Sequence, residues 1–274
     1  MIKNYLKLAR VGNVIITFLS VECSGVLCGI NVVENWRIFA AAIAASLITA
    51  GGNAVNDLLD IDIDRINRPS RPLAAGQITR PHAISFYILV TIGGLIISAS
   101  INLYSLLIAV AAAGSVLVYS YKLKRTVFFG NLAVALVTGL TFIYGGTAVN
   151  DFTDVYPAAV FAFLTNLIRE IIKDAEDVRG DSEIGIRTIA TKYGTVVSAY
   201  ISISLTIVLL VMVWGAFRIH VLPVQFLVVC GLTIFPIGAY ITYLLMSRRS
   251  FSEASFGYKL MMIFGLIALI VGKV

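Results

Sequence analysis

Residues 37–64 read RIFAAAIAASLITAGGNAVNDLLDIDID, an apolar run that ends on four aspartates within eight positions. The run is about 20 residues long, enough to carry an α-helix across the hydrocarbon core of a bilayer. Asp57, Asp60 and Asp64 follow at i, i+3 and i+7, a spacing that places three carboxylates on one helix face. The same spacing returns 117 residues later as Asp174, Asp177 and Asp181. Ten of the chain's 15 acidic residues stand in these two stretches. Carboxylates crowded at a membrane boundary repel one another unless cations hold them, so each cluster marks a site.

The rest of the 274-residue chain repeats the apolar half of that stretch. It is 59% hydrophobic and only 13% charged, with a mean hydropathy of +0.92. Soluble domains carry roughly 25% charged residues. Apolar segments at about 12–31, 37–56, 82–101, 103–120, 127–149, 155–173, 195–217, 221–246 and 256–272 predict an all-α polytopic membrane protein of about nine transmembrane helices. Segments of this length exclude a β-barrel, whose strands are ~10 residues of alternating polarity. The leading MIKNYLKLAR reads as the start of a retained signal-anchor helix.

Basic residues set the orientation. Lys3, Lys7 and Arg10 precede the first span, Arg65, Arg68, Arg71 and Arg80 follow the second, and Lys122 and Lys124 follow the fourth. Lys173, Arg179, Arg187 and Lys192 follow the sixth, against Arg37, Arg218 and Lys273 on the other side. The positive-inside rule then puts the N-terminus and both aspartate clusters in the cytoplasm of a multi-pass cell-membrane protein. The net charge of +6 follows from this bias and points to no nucleic-acid partner. Cys23, Cys28 and Cys230 read as small buried hydrophobes. His82 and His220 fall at opposite faces and share no metal.

The clusters end the second and sixth spans, and each is followed by a basic loop on the same side. This predicts one domain, 1–274, of two pseudo-repeated four-helix units, about 12–125 and 127–250, plus a ninth helix. The two units face each other across a central polar cavity open to the cytoplasm. Hard divalent cations take carboxylate and amide oxygens and share their shell with substrate phosphates. Asn56, Asp57, Asp60, Asp64, Asp174, Asp177 and Asp181 are the candidate ligands, for two Mg2+ ions. Asn53 and Glu170 extend the stripes by one turn. Arg65, Arg68, Arg71, Lys122 and Arg179 are placed to take phosphate oxygens the metal leaves free.

These residues carry a resemblance. Asn56-Asp57-Leu58-Leu59-Asp60-Ile61-Asp62-Ile63-Asp64 matches the NDxxDxxxD signature of the UbiA-type intramembrane prenyltransferases, and Arg65-Ile66-Asn67-Arg68-Pro69-Ser70-Arg71-Pro72-Leu73 looks like its extension. Asp177-Val178-Arg179-Gly180-Asp181, with Asp174 before it, matches that family's second motif. Tyr119-Ser120-Tyr121-Lys122 lies where the family has a tyrosine- and lysine-bearing loop. The resemblance spans the chain, and the run Arg169 to Asp177 is most similar to archaeal digeranylgeranylglyceryl phosphate synthases.

The resemblance implies that an isoprenyl diphosphate donor binds on Mg2+ between the clusters, with Asp60, Asp64, Asp177 and Asp181 catalytic. Asn53, Arg65, Arg68, Arg71, Lys122, Tyr119, Tyr121 and Arg179 would bind the substrate. Phe142 and Tyr144, with the loop tyrosines, would shield an allylic cation. The acceptor implied is geranylgeranylglyceryl phosphate, its hydroxyl forming an ether, with Arg65, Arg179, Arg187 and Lys192 left for its phosphate. An aromatic acceptor such as a hydroxybenzoate or quinone precursor is the alternative. Outside enzymes, an ion-coupled transporter is the competing class, though its carboxylates would sit near mid-membrane. A CDP-alcohol phosphotransferase needs an Asp-Gly-x-x-Ala-Arg that this chain lacks. Glu22, an acid inside the first span, has no partner in the sequence.

Overall fold

The computed structural model describes residues 2–152 and 154–273, and among these every regular element is helical. In chain order they are α1 (Ile2–Ala9), α2 (Val11–Leu27), α3 (Trp36–Leu59), α4 (Ile61–Asn67), α5 (Arg80–Ile101), α6 (Leu103–Tyr121), α7 (Phe129–Ala148), α8 (Tyr156–Glu176), α9 (Val178–Ile184), α10 (Ile189–Tyr193), α11 (Thr195–Arg218), α12 (Val224–Leu232), α13 (Ile234–Tyr243) and α14 (Phe251–Lys273). Seven rods are long and apolar enough to cross a membrane, counting residues 224–248 as one; the bent pair α1–α2 makes eight. The chain is a multi-pass membrane protein. The sequence reading of nine spans differs at α8, which has the length, 21 residues, but carries Arg169, Glu170 and Lys173 in its last third. Those charges are paired within the bundle.

Local chemistry explains where the rods start and bend. Asn35 caps α3 by accepting from the Arg37 amide, and Asn102 caps α6 by accepting from Ser105. Pro81 and Pro157 sit in the first turns of α5 and α8, where a missing N–H costs nothing. Pro236 has no N–H for the carbonyl of Leu232, and the rod breaks at Thr233 between α12 and α13. The rods approach closely through small residues. A Cβ on Gly94 would stand 2.9 Å from the Ala44 carbonyl oxygen, so α5 can lie this near α3 only with glycine there.

Side chains such as Leu89 and Ile96 point outward from the bundle, as helices bathed in lipid require. One core joins α8, α12 and α14 around Ile168, Ile172, Phe226 and Tyr258. A second joins α2, α3 and α7 around Val21, Ile38, Ala41 and Tyr144. A third, smaller core packs Leu8 of α1 against Ala54, Leu58, Ile61 and Leu73. This third core fastens the N-terminal helix over the end of the bundle that holds the aspartates.

Candidate active site

Each aspartate stripe was expected on one continuous helix, and each is instead cut at its middle aspartate. Asp60 (φ −100°, ψ 11°) separates α3 from α4, and Asp177 (φ −90°, ψ 5°) separates α8 from α9. Neither break has a glycine or proline. Backbone bonds persist on both sides, with Asp64 N donating to Asp60 O at 2.8 Å and Asp181 N to Asp177 O at 3.2 Å. At each break the aspartate itself is ion-paired, Asp60 with Lys124 and Asp177 with Arg68.

The two broken stripes meet. Asn67, at the end of α4, donates to the Asp177 carbonyl at 3.0 Å and accepts from Gly180 N at 3.0 Å. A Cβ on Gly180 would lie 2.5 Å from the Asn67 amide, so glycine is required where α9 crosses α4. Arg68 grips the Asp177 carboxylate through both oxygens at 3.0 Å. Burial works against the Arg68 charge, but Asp177 and Glu176 beside it more than offset this and hold the guanidinium above its ordinary value.

Cations hold the three aspartates of the first cluster. Asp64 takes Arg71 at 2.7 Å, Asp57 takes Arg71 at 3.2 Å and also Arg10, and Asp60 takes Lys124. Asp174 accepts from Asn131 at 2.8 Å. Asp57, Asp60, Asp64 and Asp181 are all buried. Burial pushes Asp64 above the usual carboxylate range, with Arg71 opposing and Asp57 and Asp60 adding to the rise. Burial likewise raises Asp181 to about 6, against Lys124 and reinforced by Asp177 and Asp60. Burial and neighbouring negative charge thus act together on Asp64 and Asp181.

A cavity of about 790 Å3 opens beside this set. Its wall includes Asn53, Asn56, Tyr119, Ser120, Glu170 and Arg68. A small, almost wholly apolar pocket adjoins it, sharing Ile16, Ser20, Thr138 and Met262, and is lined further in by Phe142, Phe161 and Phe226.

Several residues named from sequence lie elsewhere. The side chains of Arg65 and Arg179 are 64% and 84% exposed and pair with their helix neighbours Asp62 and Glu183. Tyr121, Lys122, Arg187 and Lys192 are exposed too, and Lys192 lies over the ring of Tyr193. It is Lys124, two residues beyond Lys122, that reaches an aspartate. Tyr144 is buried in the second core with its hydroxyl 2.7 Å from Ser98, away from the cavity wall. Asn53 donates to the Ala9 carbonyl at 2.8 Å and so fixes the end of α1. Cys23 and Cys230 are buried and Cys28 is partly so.

Sequence reading passed over Asn67, Asn131, Lys124 and the Lys3, Lys7, Arg10 stripe. The stripe has a helical i, i+4, i+7 spacing, which is the signal that would have found it. Glu22 has one buried carboxylate oxygen without a hydrogen bond in the structure.

Among known proteins, the chain is 37% identical over 218 residues to the digeranylgeranylglyceryl phosphate synthase of Saccharolobus solfataricus, covering 77% of this chain and 76% of that one. A solved structure concerned with digeranylgeranylglyceryl phosphate synthase in membranes superposes with a TM-score of 0.75 at 30% identity, covering 99% of this chain and 98% of the other. The fold is also that of a UbiA homolog from Archaeoglobus fulgidus bound to GPP and Mg2+ (TM-score 0.66, 17% identity, 97% of this chain and 99% of that one). The profile described as the UbiA prenyltransferase family matches residues 16–266. With that match across two aspartate clusters that meet at one end of a helical membrane bundle, the chain belongs to the UbiA prenyltransferase family.

Proposed function

We propose that the protein transfers a geranylgeranyl group from its diphosphate to the free hydroxyl of geranylgeranylglyceryl phosphate, forming an ether of the archaeal lipid type. The observation that carries this reading is the junction of the two clusters beside a cavity that carries charged groups and has an almost wholly apolar branch. Diphosphate and isoprenoid chain are thereby offered adjoining sites of opposite character. The named relatives support the acceptor, and the Archaeoglobus structure supports an isoprenyl diphosphate on Mg2+.

Mg2+ fits the residues present. Among the described residues no three acidic side chains converge on one point. Mg2+ is commonly held by one or two carboxylates with substrate phosphates completing its shell, so pairs of aspartates suffice. A pair drawn from Asp57, Asp60 and Asp64, with Asn56, would hold one ion, and a pair drawn from Asp174, Asp177 and Asp181 another. When bound, the ions neutralise charge on the departing diphosphate. α3 and α8 both end at the clusters, and the partial negative charge of each helix C-terminus favours a cation there.

The chain's own groups do the rest. Arg68, Arg71 and Lys124 already stand on the aspartates, where they would meet a diphosphate held there. They stabilise charge as the allylic C–O bond breaks and the diphosphate leaves with the bonding electron pair. The apolar branch around Phe142 and Phe161 keeps water from the cationic carbon. The acceptor oxygen then bonds to that carbon and loses its proton. Tyr119 supplies an aromatic face on the cavity wall.

We read the chain as one domain of two four-helix units, about 12–125 and 127–250, and the matched breaks at Asp60 and Asp177 support this. The distribution of basic residues supports a cytoplasmic N-terminus and cluster loops. An accessibility assay on single cysteines introduced at positions 65 and 179 tests the orientation. For the chemistry, Asp60→Ala and Asp177→Ala should each lower turnover roughly 100-fold or more with Mg2+ and geranylgeranyl diphosphate. Full activity in either variant would falsify the two-cluster site.

A further inference from the structure

The cavity wall carries an excess of positive charge. Lys3, Lys7, Arg10, Arg68, Arg169, Lys173 and Lys259 line it with one acid, Glu170; Arg10 and Arg68 are paired with Asp57 and Asp177. Glu170 is shared between Arg169 at 3.1 Å and Lys173 at 2.9 Å. Lys259 of α14 has no acidic partner among the described residues, and its charged neighbours are Arg169 and Arg10, which repel it. Its ammonium reaches the cavity past Gly12, where a Cβ would lie 3.2 Å from Nζ. Two donors on the same wall, Arg169 Nε and Asn166 Nδ2, are buried without an acceptor. Buried donors are normally satisfied, and each one left unmet costs about 1–3 kcal/mol. Unpaired donors and unneutralised cations on one wall describe an anion site.

We propose that Arg10, Arg169 and Lys259, with Lys3 and Lys7 at the rim, bind the phosphate of the acceptor lipid at a subsite separate from that of the donor diphosphate. The proposal rests on the acceptor reading above and replaces the exposed Arg65, Arg179, Arg187 and Lys192 as its phosphate partners. Placement supports the separation. Arg169 precedes Asp174 by five residues, roughly 7 Å along the axis of α8. The donor's cations, Arg68, Arg71 and Lys124, stand on the aspartates themselves, and Arg10, which pairs with Asp57 and neighbours Lys259, joins the two sets. Arg10 adopts a left-handed backbone (φ 54°), a strained conformation for a residue with a side chain, at the 57° bend between α1 and α2. Lys3 and Lys7 of α1, with Arg10 at the joint, thereby share the cavity wall.

The test is steady-state kinetics of the full-length protein with Mg2+ and geranylgeranyl diphosphate, using two acceptors: geranylgeranylglyceryl phosphate and the same lipid without its phosphate. Lys259→Gln should raise the KM for the phosphorylated acceptor at least tenfold while the donor KM stays within twofold. With the dephosphorylated acceptor the penalty should shrink below twofold, and Lys259→Arg should recover most of the loss. Lys7→Gln, on an exposed residue that cannot compromise folding, should raise the same KM about threefold. A donor KM that rises in step, or an equal penalty on both acceptors, overturns the proposal and leaves the transfer reaction standing. If the wild-type protein instead prenylates a hydroxybenzoate and neither glyceryl lipid, the acceptor reading fails and takes the phosphate subsite with it.

Discussion

At the scale of single residues, the site is a set of carboxylates held apart from one another by borrowed cations. Asp181 shows the cost. A carboxyl whose folded pKa, about 6, exceeds its unfolded value of about 3.9 destabilises the fold above pH 6, and that penalty is relieved as pH falls toward 4. By linkage it amounts to roughly 2–3 kcal/mol at neutral pH. Asp181→Asn should therefore raise the Tm of the metal-free protein at pH 7.5, gain less at pH 5, and still abolish turnover. A lower Tm at pH 7.5 would refute that account of Asp181. Gly180 makes the opposite point. Gly180→Ala drives a methyl into the Asn67 amide, and overpacking of this kind costs about 1–3 kcal/mol. Thermal unfolding of Gly180→Ala alone and in combination with Asn67→Ala measures it, the second change returning part of the loss.

At the scale of elements, α1 is a short amphipathic helix whose one fully buried large side chain, Leu8, seats it against α3 and α4. Leu8→Ala removes a packed side chain, which costs about 2–5 kcal/mol in well-formed cores. Here the loss should fall on α1 alone, read as faster hydrogen exchange over residues 2–10 with little change in the other helices. The rods themselves were legible in the sequence because their apolar runs have span length and their ends carry Asn, Pro or charge. The breaks at Asp60 and Asp177 were not legible. The i, i+3, i+7 spacing is satisfied equally by a straight helix and by one bent where Lys124 and Arg68 take hold. Lys3, Lys7 and Arg10 were readable as a stripe but have the composition of any cytoplasmic flank. Their place on the cavity wall comes with the left-handed turn at Arg10, which no local pattern announces. Arg65 and Arg179 each lie inside a motif yet point to solvent beside a nearer acid, an orientation that the motif does not carry.

At the scale of the whole molecule, the site exists only where two stretches 117 residues apart are brought together. A ligand that bridges them stabilises the assembled bundle alone. Ligand present at 100 times its Kd contributes about 2.7 kcal/mol to stability. Mg2+ together with a non-hydrolysable isoprenyl diphosphate analogue should thus raise Tm by more than the sum of either alone, because each completes the other's coordination. Strictly additive shifts in a thermal assay would argue against a shared shell.

The ion pairs also bear on how the chain is made. Synthesis delivers the first cluster long before the second, and a bare carboxylate at a half-built bilayer boundary is costly. Asp57 and Asp64 do not wait: Arg10 has already emerged, and Arg71 follows Asp64 by seven residues. Asp177 in turn finds Arg68 long since in place. Asp60 alone must wait for Lys124, 64 residues later. In chain order, Asp57, Asp64 and Asp177 thus have their cations already made or made within a few residues.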